Sequence, residues 1–203
     1  MIEEIGVSVS RETIQHLEAF AELTAKWTAK INLIAKSTVP DIWNRHIIDS
    51  AQAFQYADSP KHWVDIGSGG GFPGIVMAII AKELSPDTKF TLIESDARKC
   101  TFLRTAIREL GLNAYVIPQR IEKADPQDAD IVSARALASI ADLLPMIEMH
   151  LRPTGQALLM KGRTYAEELN AVRGNWDFDL AEYTSITEPD SRILSLKRIA
   201  RAA

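Results

Sequence analysis

Cysteine is almost missing from this chain. Its 203 residues contain one, Cys100, so no internal disulfide can form and a reducing compartment is expected. A long apolar run is missing too: the stretch around Gly74–Ala81 falls well short of the about 20 residues needed to span a bilayer. The start, Met1-Ile2-Glu3-Glu4, has neither the basic n-region nor the apolar h-region of a signal peptide. A soluble, cytoplasmic protein with no membrane contact is expected. Net basicity is also lacking. Twenty-three Lys and Arg against 27 Asp and Glu leave a charge of −4, which argues against indiscriminate coating of nucleic acid but leaves room for a local RNA site. The four histidines, His16, His46, His62 and His150, have no metal-ligand spacing, so no metal is expected. Internal repeats and low-complexity tracts are absent.

What is present is ordinary globular material, 46% hydrophobic and 25% charged, enough for a sizeable core. The length suits one domain with an appendage. Ile14, Leu17, Phe20, Leu23 or Trp27, and Ile31 recur with a helical period over residues 10–31, with Ser10 placed to cap the start. A second helix is expected from Pro40 through Ile42, Ile47 and Ala51 to Tyr56, ended by Asp58-Ser59-Pro60. Residues 1–58 therefore read as an N-terminal helical extension and 59–203 as the main domain. From residue 62 apolar runs alternate with helical stretches. The expected strands are Trp63–Ile66, Phe90–Glu94, Ala114–Ile117, Ala129–Ser133 and Gln156–Met160. The expected helices are Pro73–Leu84, Ala97–Leu110, Ser139–Leu151 and Tyr165–Val172. This alternation predicts an α/β fold whose mostly parallel sheet carries helices on both faces. Phe178–Ser185 and Arg192–Ile199 have no helix between them and read as a terminal hairpin. Arg192, Lys197, Arg198 and Arg201 near the end form either a solvated basic tail or a phosphate contact.

The strongest local signal is Asp65-Ile66-Gly67-Ser68-Gly69-Gly70-Gly71-Phe72-Pro73-Gly74. It joins a strand to a helix, and glycines there let the backbone turn sharply and approach a ligand. A dinucleotide site would want G-x-G-x-x-G. Gly67 and Gly69 fit, but Phe72 takes the last position. The pattern is acid-x-G-x-G-x-G instead, similar to the class I methyltransferases that bind S-adenosylmethionine, whose Rossmann-like sheet has seven strands. Glu94 ends the next strand, where a carboxylate can accept both ribose hydroxyls of a cofactor.

Three chemistries are disfavoured by what is missing. An Asn/Asp-Pro-Pro-Tyr type motif for exocyclic amines does not follow the fourth strand, which ends Ser133-Ala134-Arg135-Ala136. Cys100 falls in the helix after the second strand, away from the expected active face, and reads as a small buried hydrophobe and not a pyrimidine-activating nucleophile. Metal ligands are not clustered. A nucleophile that needs no base remains, such as guanine N7 with its in-plane lone pair. Catalysis then reduces to holding nucleophile, methyl and sulfur in line.

The chain resembles the bacterial small-subunit ribosomal RNA guanine-N7 methyltransferases called RsmG or GidB. The resemblance covers Trp27 through Ile31-Asn32-Leu33, Arg45-His46-Ile47-Ile48-Asp49-Ser50, Asp65–Gly74 with its Gly-Phe-Pro-Gly ending, Lys99-x-x-Phe102-Leu103, Arg120-x-Glu122, Ser133-x-Arg135-Ala136 and Lys161-Gly162. Position 34 departs from it, with Ile where the family often has Thr. The resemblance implies methylation of N7 of guanine 527 of 16S ribosomal RNA, within the 30S subunit or an assembly intermediate. It implies that Asp65, Gly67, Gly69, Phe72 and Glu94 hold S-adenosylmethionine, that Ile121 and Glu122 flank its adenine, and that Arg135 lies beside cofactor and base where the methyl is transferred. Arg45, His46, Lys161 and Arg163 are the candidate RNA contacts. Arg45 and Asp49, four apart, could instead pair with each other on a helix, and His46 could be a packed structural histidine. A methyltransferase of another RNA or of a small molecule, and a non-catalytic RNA-binding relative, stay open as alternatives. Phe72 disfavours a nicotinamide dehydrogenase.

Overall fold

Each of the five apolar runs becomes a parallel strand in a computed structural model that describes residues 7–202; the reading of Met1–Glu4 lies outside the described residues. The strands are β1 (His62–Ile66), β2 (Lys89–Ile93), β3 (Ala114–Ile117), β4 (Ala129–Arg135) and β5 (Leu151–Lys161). The hairpin of β6 (Trp176–Thr184) and β7 (Arg192–Arg201) completes the sheet in the order β3-β2-β1-β4-β5-β7-β6, with β7 antiparallel to both neighbours. Order reverses between β1 and β4, and in open α/β sheets ligands bind at the carboxyl ends of the strands at such a switch point.

The helices are α1 (Arg11–Thr28), α2 (the single turn Asp49–Ala51), α3 (Gly74–Leu84), α4 (Ala97–Leu110), α5 (Ile140–His150) and α6 (Tyr165–Val172). Ser10 caps α1 by accepting the amide of Thr13, and Asp96 caps α4 by accepting those of Arg98 and Lys99. One face of the sheet carries α1, α3 and α4 in a core containing Leu17, Phe20, Ile47, Trp63, Met77 and Phe102. The other face carries α5 and α6 over Val64, Val132 and Leu159. Residues on both sides of position 58 thus share one core. The first two turns of helix α3 are apolar all round because they are enclosed all round: Gly74 through Ala81 are all buried. No helix among the described residues is long and apolar enough to cross a membrane.

Two elements differ from the sequence reading. The helix expected from Pro40 begins earlier and changes pitch: a 3-10 stretch at Lys36–Asp41, a π turn at Trp43–Ile48, α2, then a 3-10 stretch at Gln52–Tyr56. Pro40 lies inside the first stretch, where the missing N–H favours a tight irregular turn over α geometry. In the π turn the amide of Asp49 reaches back to Asn44, and such turns recur at functional sites. Strand β5 is also longer than expected, because Leu151 pairs with Ala129 before a register shift. The basic tail is strand β7: Arg198 pairs with Asp179, and Arg201 with Glu148 while lying 4.6 Å from the Trp176 ring centroid.

Candidate functional site

Gly67, Gly69 and Gly71 all take positive φ, at 64°, 53° and 83°, so the loop after β1 turns through conformations that cost other residues energy. Its turns are fixed by the Ser68 amide donating to Ile93 O (3.1 Å) and the Gly71 amide to Ser68 O (2.7 Å). At Gly70 a Cβ would sit 2.9 Å from Leu33 O, so glycine there lets the strap 33–35, which follows α1, close onto the loop. Phe72, where a dinucleotide site would have glycine, is a packing residue. Its ring centroid lies 5.2 Å from Phe20 and 5.1 Å from His46, and the Arg135 guanidinium lies 5.5 Å above it.

The loop floors a cavity of about 610 Å³, in the size range of cofactor sites. Gly67, Gly69, Phe72, Glu94, Ile121, Glu122 and Arg135 all line it, so the structure brings these expected residues together. Glu94 is buried, with Oε2 accepting the Gly69 amide (2.8 Å) and Oε1 the Asp96 amide (2.7 Å). A carboxylate has about four acceptor sites, so each oxygen retains capacity toward the cavity. That arrangement fits a nucleoside's ribose hydroxyls. The Ile121 carbonyl beside it is held by Nε2 of the buried His150 at 3.0 Å.

Asp65 is placed differently from the others. It lies behind the loop, 1% exposed, and is not among the cavity-lining residues. Its Oδ1 accepts from Ser133 Oγ at 2.7 Å, and Oδ2 lies where a Cβ on Gly74 would be 2.7 Å away. Burial pushes its carboxyl up to about 6, against the opposing pull of the Ser133 and Ser68 hydroxyls. Asp65 therefore shapes the loop from beneath. Cys100 is buried as expected, its Sγ bonded to Glu94 O, and burial raises its thiol.

A second cavity, of about 260 Å³, opens on the far side of Arg135 and shares His46, Arg135 and Ala136 with the first. Arg45, Asp49, Lys161, Glu168, Glu188 and Arg192 line it. Arg45 does not pair with Asp49: it pairs with Glu188 at 3.1 Å, and Asp49 pairs with Arg135 at 3.1 Å. The π turn aims these side chains at different partners, which the i,i+4 spacing could not foresee. Arg135 also donates to Ser50 Oγ (3.2 Å) and to His46 Nδ1. Burial draws its proton affinity down, and Asp49 props it up.

His46 is a junction. Nδ1 takes the Arg135 bond, so Nε2 carries the proton and donates to Thr38 Oγ1 at 2.8 Å, which donates onward to Ala35 O at 2.7 Å. Burial, then the charges of Arg135 and Arg45, lower its pKa to about 4, so the ring is neutral at physiological pH. Lys161 is held by Glu168, and Arg163 is exposed outside both cavities' linings. The sequence reading missed Ala35, Gln119 and Glu168, and it met Leu33 and Ile34 only as positions of the family resemblance, with no place in the site. Glu168, by sequence alone, is one more acid on a helix. No cluster of three or more His, Cys, Asp or Glu suited to a metal occurs among the described residues.

The family model described as rRNA small subunit methyltransferase G matches residues 13–194. A ribosomal RNA small subunit methyltransferase G of Ruegeria sp. strain TM1040 is 48% identical over 197 residues, 97% of this chain and 96% of that one. The protein of the same description from Rhizobium rhizogenes strain K84 is 48% identical over 202 residues, 97% of each. Among solved structures, M. jannaschii TYW2 in complex with AdoMet superposes with a TM-score of 0.59 at 17% identity, covering 86% of this chain and 80% of that one. The ribosomal protein L11 methylase of Lactobacillus delbrueckii subsp. bulgaricus gives 0.58 at 17% identity, covering 76% and 77%. At such identities these two speak for the fold alone.

Proposed function

The chain belongs to the rRNA small subunit methyltransferase G family, and from that premise we propose that it methylates N7 of guanine 527 in 16S ribosomal RNA by in-line transfer from S-adenosylmethionine. The observation that carries this reading is the meeting of the two cavities at Arg135, with no free general base among the described residues at the junction. Both nitrogens of His46 are engaged and its pKa is about 4. The Asp49 carboxylate is committed to Arg135, and Ser185 and Thr187 hydroxyls also reach its Oδ1. A site so built cannot readily remove a proton, and guanine N7 has none to remove.

The cofactor, when bound, supplies an electrophilic methyl on a sulfonium. The residues bind and orient. Glu94 accepts the ribose hydroxyls, Ile121 and Glu122 flank the adenine, and the Gly67–Gly69 backbone leaves room for the aminoacyl portion. Arg135, its charge balanced by Asp49, orients the incoming base at the junction while Phe72 and the strap exclude water. The nucleotide enters from the second cavity, with Arg45 and Arg192 toward its phosphates. Extruding one nucleotide into a pocket is the usual way to expose a base for chemistry. With a net charge of only −4, the protein draws part of its recognition from folded RNA shape in the 30S subunit or an assembly intermediate, in the cytoplasm.

The deciding experiment is transfer of labelled methyl to 30S subunits lacking their N7-methylguanine, with protein-free 16S RNA in parallel and cleavage by borohydride and aniline to map the site. A single cut at guanine 527, lost with Gly67→Arg, is the expected result. Cofactor binding without transfer to either RNA would reassign the substrate. Equal methylation of naked RNA would remove the role of the particle.

A further inference from the structure

The loop from Arg135 to Ser139 separates the two cavities. Ala136 within it takes φ of 50°, a region an alanine enters only when its surroundings force it. Leu137 lies across Gly67, where a Cβ would be 2.5 Å from its Cδ1. Something outside the loop must hold this shape, and two side chains of the β5–α6 region reach it. Lys161 Nζ donates to the Ala138 carbonyl at 2.8 Å. Glu168 Oε2 accepts the Ile140 amide at 2.8 Å and pairs with Lys161 Nζ at 2.7 Å. Thr164 Oγ1 donates to the second oxygen, Oε1, at 3.1 Å. The pair is largely enclosed, with Lys161 and Glu168 side chains 11% and 21% exposed, and its donor and acceptor each meet a backbone group of the opposite kind.

We propose that Lys161 and Glu168 are positioning residues, a two-point clamp that fixes the Arg135–Ser139 loop against the cofactor and the target base. This rests on the reading that Arg135 orients the base. It assigns Lys161 a role inside the protein in place of a phosphate contact, and it gives Glu168, which the sequence did not single out, an equal share. Reversing the pair's charges cannot restore it, because the group of Ala138 that meets the pair is a carbonyl, which only accepts, and that of Ile140 is an amide, which only donates.

Glu168→Gln, nearly isosteric, is the deciding variant, with Lys161→Met and Lys161→Arg beside it. Three quantities are measured: hydrogen exchange over residues 136–140, binding of S-adenosylhomocysteine, and kcat and KM with 30S subunits over a range of salt. Faster exchange in that loop is expected for Glu168→Gln and Lys161→Met, with product binding weakened less than kcat falls, since Ala136, Leu137 and Ala138 are only part of the cofactor cavity's lining. For both, kcat should fall roughly 10- to 100-fold, the usual penalty for a small misplacement of reacting groups. KM for RNA and its salt slope should not move, and Lys161→Arg should recover part of the rate. A clamp is ruled out if loop exchange is unchanged. It is ruled out equally if Lys161→Met alone loses RNA affinity and lowers the salt slope by about 1, as loss of one phosphate contact would, while Glu168→Gln keeps its rate. Exchange does not require RNA, so failure of wild-type protein to methylate 16S RNA would overturn the substrate and leave the loop result standing.

Discussion

Arg135 Nη1 lies 3.1 Å from Asp49 Oδ2, with the two side chains only 15% and 20% exposed. This ion pair joins the end of β4 to the irregular helical segment at residues 36–56. It is how the N-terminal part of the chain becomes part of the site. Removing one partner of a largely buried pair leaves an uncompensated charge, at a cost of about 3 to 5 kcal/mol. Ser50 and His46 still contact the guanidinium, so Asp49→Ala should fall at the lower end, about 3 kcal/mol by urea denaturation. Methyl transfer should fall more than product affinity, because Glu94 and Ile121 are untouched. Equal loss of both would mean that Asp49 supports the cofactor cavity as a whole.

At Gly67 two penalties can be separated. Alanine there must adopt φ of 64° and must also displace Leu137. Gly67→Ala should cost about 1 to 3 kcal/mol of stability for the backbone alone, with weaker cofactor binding. Adding Leu137→Ala should restore the steric share and not the conformational one. Full recovery in the double variant would show that φ contributes nothing.

Glu94→Gln should keep the side chain's shape but lose a charged acceptor for the Gly69 and Asp96 amides and for the ribose. Hydrogen bonds to charged groups are worth about 1.5 to 3 kcal/mol, so calorimetry with S-adenosylhomocysteine should show affinity reduced roughly 10- to 100-fold. An unchanged affinity would remove Glu94 from the cofactor site.

His46 makes stability depend on acid. Its folded pKa, about 4, is below the ordinary 6.5, so the unfolded chain takes up a proton that the folded one refuses. Its contribution is therefore fully present above pH 6.5 and is lost as pH falls toward 4. In His46→Gln, which can still bridge Arg135 and Thr38, this part of the slope should be missing, so the difference in unfolding free energy between wild type and variant should change as pH falls from 6.5 toward 4. A difference that stays flat from pH 7 to 4 would mean that the ring protonates freely in place.

Much of the site was legible in the sequence for a simple reason: the residues that line the first cavity are contiguous or end strands that neighbour one another in the sheet. Gly67, Gly69, Glu94 and Arg135 each lie at the carboxyl end of a strand whose apolar run is visible, and the fold brings parallel strand ends together by construction. Asp65 stood in the same motif but serves beneath it, because strand side chains alternate faces and the motif does not say which face meets the ligand. Glu168 and the strap 33–35 could not be found this way. Their partners, Ile140 and Gly70, are reached only through folding, and neither carries a local signature of the contact.

By itself the sequence determined the alternation of five strands with their helices, the terminal hairpin, the glycine turn and the acid that faces it. All of these follow from short-range periodicity and from backbone conformations that only glycine adopts easily. Tertiary structure decided the partners. It set Arg45 against Glu188 and Asp49 against Arg135, gave Arg198 and Arg201 of the last strand their acidic partners, and enclosed Lys161. The π turn and the hairpin loop bring charges about 140 residues apart to within hydrogen-bonding distance. For the enclosed Arg135–Asp49 pair, the lower dielectric makes proximity in space outweigh neighbourhood along the chain.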